Sequence, residues 1–187
     1  MLGIATIALT SWTGARKLEV STASISKPPN NFTEFRDPAR KFALLYHKDW
    51  KTVQSFGETV ATFVQTKFEA VVVVERRIVP DAFDTNSQAF LDTERRVLET
   101  RHPDAQGIKS GRVQEAQKGV VFDFTRQRSG VAEQLRQYSF VVDTMLFRVT
   151  CISPQDKFKK YEGDYLNVAR NVRALSEPTA GSLLGAH

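Results

Sequence analysis

Cysteine is nearly absent from the 187-residue chain, because Cys151 stands alone and no disulfide can form within one molecule. Histidine is scarce too: His47, His102 and His187 lie far apart, and no Cys-x-x-Cys or His-x-His spacing occurs. We therefore expect no metal site of the zinc type. With only 7 prolines and 10 glycines, the chain is also unlike disordered or collagen-like sequences.

Neither sign of charge dominates. Lysine and arginine number 26 against 21 aspartates and glutamates, which leaves a net charge of +5. This excess suits an anionic protein surface but is small for a nucleic-acid-binding protein, so we expect no nucleic-acid partner. Hydrophobic residues make up 41% of the chain and include 13 phenylalanines. At this length they can form one sizeable core, which predicts a single domain.

The apolar run Met1 to Leu9 (MLGIATIAL) is far shorter than the ~20 residues that a membrane-spanning helix needs. Two interpretations stay open: part of a signal peptide or a hydrophobic tether for peripheral membrane association, and an incidental tail. A polar stretch with the pair Pro28-Pro29 follows it. We therefore divide the chain into an N-terminal segment and linker (1–31), a folded domain (32–176) and a C-terminal tail (177–187).

Short apolar runs in the domain predict β-strands. Residues 41–47 (KFALLYH) and 60–65 (VATFVQ) are predicted to pair as neighbours, on either side of a Gly57-Glu58 turn. Residues 70–79 contain four consecutive valines, a pattern typical of a central strand buried on both faces. Four further strands are predicted at 108–116, 120–128, 135–142 and 145–152, with turns at Lys118-Gly119, Ser129-Gly130 and Asp143-Thr144.

Two helices complete the pattern. Thr85 and Gln88 predict a capping box for a helix that ends at Arg101. Ser153 as N-cap and Pro154 at the first helical position predict a second helix that runs to residue 175, with apolar residues at alternating three- and four-residue spacing. A doubly buried strand needs two covers, so we expect these helices on opposite faces of the sheet. The predicted fold class is α+β, with an antiparallel sheet sandwiched between helices.

The phrase Asp37-Pro38, followed by Phe42, Leu44 and Trp50, resembles the opening of the PsbP family, the extrinsic proteins of the photosynthetic oxygen-evolving complex. His47 departs from that pattern, since the family usually has proline there. The valines at 71–74, the pair Leu146-Phe147 and a closing helix with Arg170 and Leu175 follow the same plan. The resemblance spans about residues 32–176.

This resemblance implies an α/β/α sandwich that acts by binding other proteins. It implies an extrinsic accessory or assembly subunit of a membrane protein complex, with a photosystem in the thylakoid lumen as the setting. The wider superfamily adds two alternatives: a bacterial periplasmic protein without an assigned role, and a soluble regulator that binds a small GTPase. A third alternative, an enzyme or small-ligand carrier, would require a deep pocket with shifted titratable groups.

The residues themselves predict no enzyme and no cofactor. Cys151 shares strand parity with Phe147 and Val149, so we expect a buried, inert thiol. The segment 107–111 (GIKSG) lacks the Gly-Lys-Ser order of a phosphate-binding loop. Asp37 and Asp49 fall in turns, where carboxylates usually cap backbone groups.

Basic residues are the candidate partner-binding groups. In one interpretation, they dock on an acidic rim of a larger complex. In the alternative interpretation, they form an ordinary solvated surface. Lysines at the start of the second helix oppose its dipole, which favours a role in binding for that cluster. The candidates are Arg76, Arg77, Lys109, Arg112, Arg126, Arg128, Lys157, Lys159 and Lys160.

Overall fold

The computed structural model describes residues 30–39, 41–80, 84–113 and 118–175. The segment Met1 to Leu9 and the C-terminal tail predicted at 177–187 lie outside these residues. The described strands are β1 (Phe32–Arg36), β2 (Phe42–His47), β3 (Trp50–Val53), β4 (Thr59–Gln65), β5 (Val71–Ile78), β6 (Gln106–Val113), β7 (Gly119–Arg128), β8 (Val131–Val142), β9 (Met145–Pro154) and β10 (Arg173–Ala174). The described helices are α1 (Gln88–Arg101) and α2 (Phe158–Arg170).

Seven strands form one antiparallel sheet in the order β3-β4-β5-β9-β8-β7-β6. Tight turns join β7 to β8 and β8 to β9, and φ is positive at Ser129, Gly130 and Asp143, as two-residue hairpins favour. These two predicted turns are confirmed. Gly119, which was predicted in a turn, lies inside β7 instead. There a Cβ atom would stand 2.3 Å from the carbonyl oxygen of Ser139, so the close approach to β8 requires glycine.

The strand buried on both faces is β9 rather than β5. Every residue of β9 from Met145 to Cys151 is buried. In β5, Val72 and Val74 are buried, whereas Val71 and Val73 are only half-buried. The prediction of a doubly buried valine strand is wrong in this respect. The reason is the sheet order, because the apolar cluster beneath α1 takes residues of β7, β8 and the start of β9 but none of β5.

The two helices cover opposite faces of this sheet, as predicted. Phe90 and Leu98 of α1 share one apolar cluster with Phe122 and Leu135. Tyr165 of α2 belongs to a second cluster, which takes the alternate residues of β5 and β9 together with Trp50. Successive side chains of a strand point to opposite faces, so the two clusters divide the sheet between them. The α+β fold class is confirmed.

A second sheet of three strands, ordered β1-β2-β10, lies on the α2 side of the molecule. The rings of Phe42 and Phe147 lie 5.1 Å apart and join the two sheets. The predicted pairing of 41–47 with 60–65 is wrong: β2 pairs with β1 and β10, whereas β4 pairs with β3 and β5. Phe42, Leu44 and Trp50 are all buried, so the residues that carry the family resemblance build the core.

Both helices begin later than predicted. Ser87, not Thr85, caps α1, since its hydroxyl accepts a hydrogen bond from the backbone N–H of Phe90 at 3.1 Å. Ser153 and Pro154 continue β9 instead of starting α2, because the long strand β8 offers them paired positions. Pro154 is the last residue of β9, where a missing N–H is tolerated. Helix α2 begins only at Phe158.

Candidate interaction surface

Five of the predicted partner-binding residues lie at the same end of the large sheet. Strands β7 and β9 both end there: Arg126 pairs with Glu133, and Glu133 pairs in turn with Pro154, four residues before α2. Arg126 and Arg128 therefore lie at the same end as the lysines at the start of α2. The residues of this group are Arg126, Arg128, Lys157, Lys159 and Lys160.

We call this region the basic end and define it by the β4–β5 turn (66–70), the β7–β8 turn with its flanks (126–133) and the segment leading into α2 (155–160). These ranges hold six lysines and arginines against three carboxylates. Contacts connect the three segments. Gln155 donates its backbone N–H to the carbonyl of Ala132 at 2.9 Å, and Glu69 binds the start of α2.

Glu69 holds two of the candidate lysines. Lys157 Nζ lies 2.7 Å and Lys160 Nζ 3.1 Å from its carboxylate, and the hydroxyl of Tyr161 donates to the same group. The bond from Lys157, aided by those from Tyr161 and Lys160, lowers the pKa of Glu69 to about 2. The neighbouring Lys159 is exposed and has no ion pair among the described residues. The cluster therefore divides into a clamp, formed by Glu69 with Lys157, Lys160 and Tyr161, and the exposed Lys159.

Arg126 is also engaged within the protein. Its Nε lies 2.7 Å from Glu133, and its Nη1 donates to Nδ1 of His102 at 3.2 Å. Burial, together with the charge of Arg126, lowers the pKa of His102 and favours its neutral form. Arg128, two residues further along β7, is exposed. It is the residue of this pair that a partner could reach without breaking an ion pair.

The other four candidates lie away from the basic end. Arg76 forms an ion pair of 2.9 Å with the buried Asp37. Arg112 donates to the carbonyl oxygens of Thr85 and Ser87, which fastens β6 to the start of α1. Arg77 at the far end of β5 and Lys109 on the edge strand β6 are exposed, with no ion pair in the described part of the chain. The nine candidates thus do not form one continuous patch, and their role in binding stays a prediction.

Sequence reasoning missed Lys67 and Phe68 at the tip of the β4–β5 turn. The side chain of Phe68 is 80% exposed, and its φ of 57° is rare for a bulky residue. Its N–H donates to the carbonyl of Gln65 at 2.7 Å, which closes the turn. The turn consists of Thr, Lys, Phe and Glu and contains neither glycine nor proline. Its conformation could therefore not be predicted from its composition.

A second feature missed in the sequence is a polar interior beneath α1. Arg148 of β9 makes a two-pronged ion pair with Glu94 of α1, with distances of 2.7 and 2.8 Å. Burial alone would lower the pKa of Arg148, but the bonds to Glu94 outweigh it and the pKa is raised. Gln137 and Thr150 are buried on the same face. Polar side chains therefore fill positions that in most sheets are apolar.

A cleft of about 320 Å³ lies beside this polar interior, where α1 ends. Glu75, Arg101 and His102 line it together with Gln137 and Thr150. Arg101 spans it by ion pairs with Glu58 and Glu75. One lining group, His102, has a shifted pKa.

Cys151 is fully buried, as predicted. Burial raises the pKa of its thiol well above the ordinary value, which opposes formation of the reactive thiolate. Within the described ranges, no group of three or more His, Cys, Asp or Glu side chains is placed to hold a metal ion. No helix of the described chain is both long and apolar enough to cross a membrane.

The antiparallel sheet with one helix on each face places the chain among α+β sandwiches. Among solved structures it is similar to the cyanobacterial PsbP (CyanoP) of Synechocystis sp. PCC 6803, with a TM-score of 0.54 and 12% identity over 80% of this chain and 98% of that one. The protein therefore has a PsbP-like fold. No protein-family model matches the sequence, and no curated protein matches it either.

Two other structures share this fold. LpqN of Mycobacterium tuberculosis, described as involved in cell envelope biogenesis, has a TM-score of 0.52 and 9% identity over 79% of this chain and 93% of that one. The Ran-binding protein Mog1p of Saccharomyces cerevisiae has a TM-score of 0.54 and 7% identity over 76% of this chain and 95% of that one. At such identities the likeness is one of fold alone.

Proposed function

We propose that the protein is a non-enzymatic accessory or assembly subunit that binds a membrane protein complex from the aqueous side. The observation that carries this proposal is the basic end, where the sheet topology gathers cations from three separate segments. Charge concentrated on one end of a molecule steers it toward an acidic partner and sets its orientation. The PsbP-like fold also occurs in the Ran-binding protein Mog1p, and this supports a protein partner for the present chain.

The PsbP-like fold and the resemblance of the sequence to PsbP support one kind of complex. We infer a photosystem as the partner and the thylakoid lumen as the compartment, with peripheral attachment to the membrane. A bacterial periplasmic role is the alternative that the likeness to LpqN supports. The absence of catalysis is part of the same proposal: its support is the full burial of Cys151, the one thiol of the chain.

The test is affinity capture of partners from detergent-solubilised membranes of the native organism, with the full chain as bait. We expect subunits of one membrane complex to co-purify and to be released by salt, because exposed charge pairs are screened over about 8 Å at physiological ionic strength. A bait with Arg128→Gln and Lys159→Gln should capture much less. Both cations are exposed and unpaired within the described residues, so their loss leaves the fold intact.

The matched control is Arg77→Gln with Lys109→Gln, which removes the same charge from exposed sites away from the basic end. Equal capture by the two double variants would contradict the proposed surface. Capture of a small GTPase from the soluble fraction, in place of a membrane complex, would instead support the second candidate function, that of a GTPase-binding regulator. The shared fold of Mog1p is the observation that favours this candidate.

A further inference from the structure

The β4–β5 turn presents an aromatic side chain that the fold does not use. Phe68 is 80% exposed, although burying a phenylalanine side chain is strongly favourable. Its left-handed backbone adds strain, since non-glycine residues reach this region only at a cost. Folding alone would favour a small polar residue or glycine at this position. An exposed, strained phenylalanine therefore indicates a role outside the core.

The turn that carries Phe68 is braced. Glu69 follows it directly and is held by Lys157, Lys160 and Tyr161 at the start of α2. These contacts tie the turn to a helix that is packed into the core. The turn that carries Phe68 is thus fixed to the folded domain.

The basic end contains exposed cations in addition to this aromatic side chain. Lys67 precedes Phe68 and is exposed, and Lys159 is exposed at the start of α2. At the other turn of the basic end, Val131 is 48% exposed beside the exposed Arg128. Exposed apolar side chains thus lie in the β4–β5 turn and at the start of β8, and each adjoins an exposed cation. At 80% exposure, Phe68 is not enclosed by a groove.

We propose that the basic end binds the surface of an anionic phospholipid bilayer, with Phe68 inserted among the lipid headgroups and acyl-chain ends. A bilayer accepts a projecting side chain without a preformed pocket, whereas a protein partner would need a matching cavity. The amino and guanidinium groups of the basic end would bind lipid phosphates, and each lysine near such a surface raises the partition coefficient about fivefold. One weak apolar contact with several cations gives reversible attachment. This inference goes beyond the proposed function and does not depend on it.

The probe is a set of protein-free vesicles, made of phosphatidylcholine alone or of phosphatidylcholine with phosphatidylglycerol. In co-sedimentation we expect the full chain to bind the anionic vesicles, to bind neutral vesicles much less, and to be released by salt. Phe68→Ala should lower the partition coefficient about tenfold, the lower end of what burying a phenylalanine contributes. Lys67→Gln with Lys159→Gln should lower it more than about tenfold.

The chain offers matched controls for both changes. Phe56 is 75% exposed but precedes β4, whereas Phe68 follows it, so the two lie at opposite ends of that strand. Phe56 also adjoins Ser55 and Gly57 and has no lysine beside it in sequence. Phe56→Ala should leave vesicle binding unchanged, and so should Arg77→Gln with Lys109→Gln.

Three outcomes would overturn the inference: no binding to anionic vesicles, equal binding to neutral ones, or equal effects of Phe68→Ala and Phe56→Ala. Binding through the segment 1–9 would give the last result, because both variants retain that segment. Phe68→Gly serves as a second variant that relieves the left-handed strain and should remain folded. The vesicles contain no protein, so a failure to bind them would not contradict the proposed binding of a membrane protein complex. Likewise, a failure to capture such a complex would not contradict binding to lipid.

Discussion

At the residue scale, ion pairs distinguish side chains that hold the fold from those open to partners. Lys157 and Lys160 are held by Glu69, whereas the adjacent Lys159 has no ion pair among the described residues. The sequence contains no information that distinguishes them, because the partner carboxylate lies about ninety positions earlier in the chain. The burial of Cys151 was predictable, because strand alternation alone assigns this residue to the core.

Changing Cys151→Ala tests the assignment of that thiol as inert. We expect a loss of about 1 kcal/mol in the free energy of unfolding, because the site loses one buried sulfur and little volume. Partner capture should remain intact. Urea denaturation measures the first effect, and labelling of the folded wild-type protein with a thiol reagent checks the burial. Rapid labelling without unfolding would show that the thiol is accessible.

At the element scale, helix α1 is fixed to the sheet by a charge as well as by apolar contacts. Glu94 stands between Phe90 and Leu98 on the buried stripe of α1, and its carboxylate is 1% exposed. From the sequence, a glutamate in a helix rich in charged residues is expected to be exposed to solvent. The buried position of Glu94 could therefore not be predicted. Only the packing of α1 across β9 reveals Arg148 as its partner.

Glu94→Ala should destabilise the protein by about 3 to 5 kcal/mol, because it leaves the charge of Arg148 buried and unpaired. The double change Glu94→Leu with Arg148→Met removes both charges and should recover most of this loss. Chemical denaturation of the wild type and of the two variants measures these differences in the free energy of unfolding. If the double variant is as unstable as the single one, the cost arises from lost packing and not from an uncompensated charge.

The clamp between the β4–β5 turn and α2 gives a second element-scale prediction. The folded pKa of Glu69 is depressed from 4.5 to about 2, so its stabilising effect is fully present above about pH 4.5 and is lost as the pH falls toward 2. Glu69→Gln should therefore reduce stability at neutral pH and flatten the acid part of the stability curve. Thermal melts of both proteins between pH 7 and pH 2 measure the difference. Parallel curves would mean that Glu69 titrates normally in the folded protein.

The errors in strand pairing also belong to the element scale. Strands β2 and β4 are both short runs rich in apolar residues, and the short β3 between them, with one buried residue in four, was not predicted. The two residues of β10, which complete the small sheet, are too few to form a detectable pattern. Helix stripes and hairpin turns were predictable because they depend on neighbours in sequence. The second sheet depends on residues 130 positions apart.

At the scale of the whole molecule, two weak and physically different signals would combine to retain the protein at a membrane. One is the apolar segment 1–9, and the other is the basic end of the folded domain. A single hydrophobic contact gives only reversible attachment, and exposed charges alone are screened by salt. We therefore expect retention to depend on both.

Deleting residues 1–9 should lower retention on native membranes without changing the melting temperature, because the described sheets and helices lie entirely within residues 30–175. In the truncated protein the charges carry the remaining attachment, so salt should release it at a lower concentration than the full chain. Fractionation of membranes washed at increasing salt measures both effects, and Arg128→Gln with Lys159→Gln should add to them. If the full and truncated chains wash off together and salt has no influence, neither signal retains the protein. A soluble regulator would then be the better description of its role.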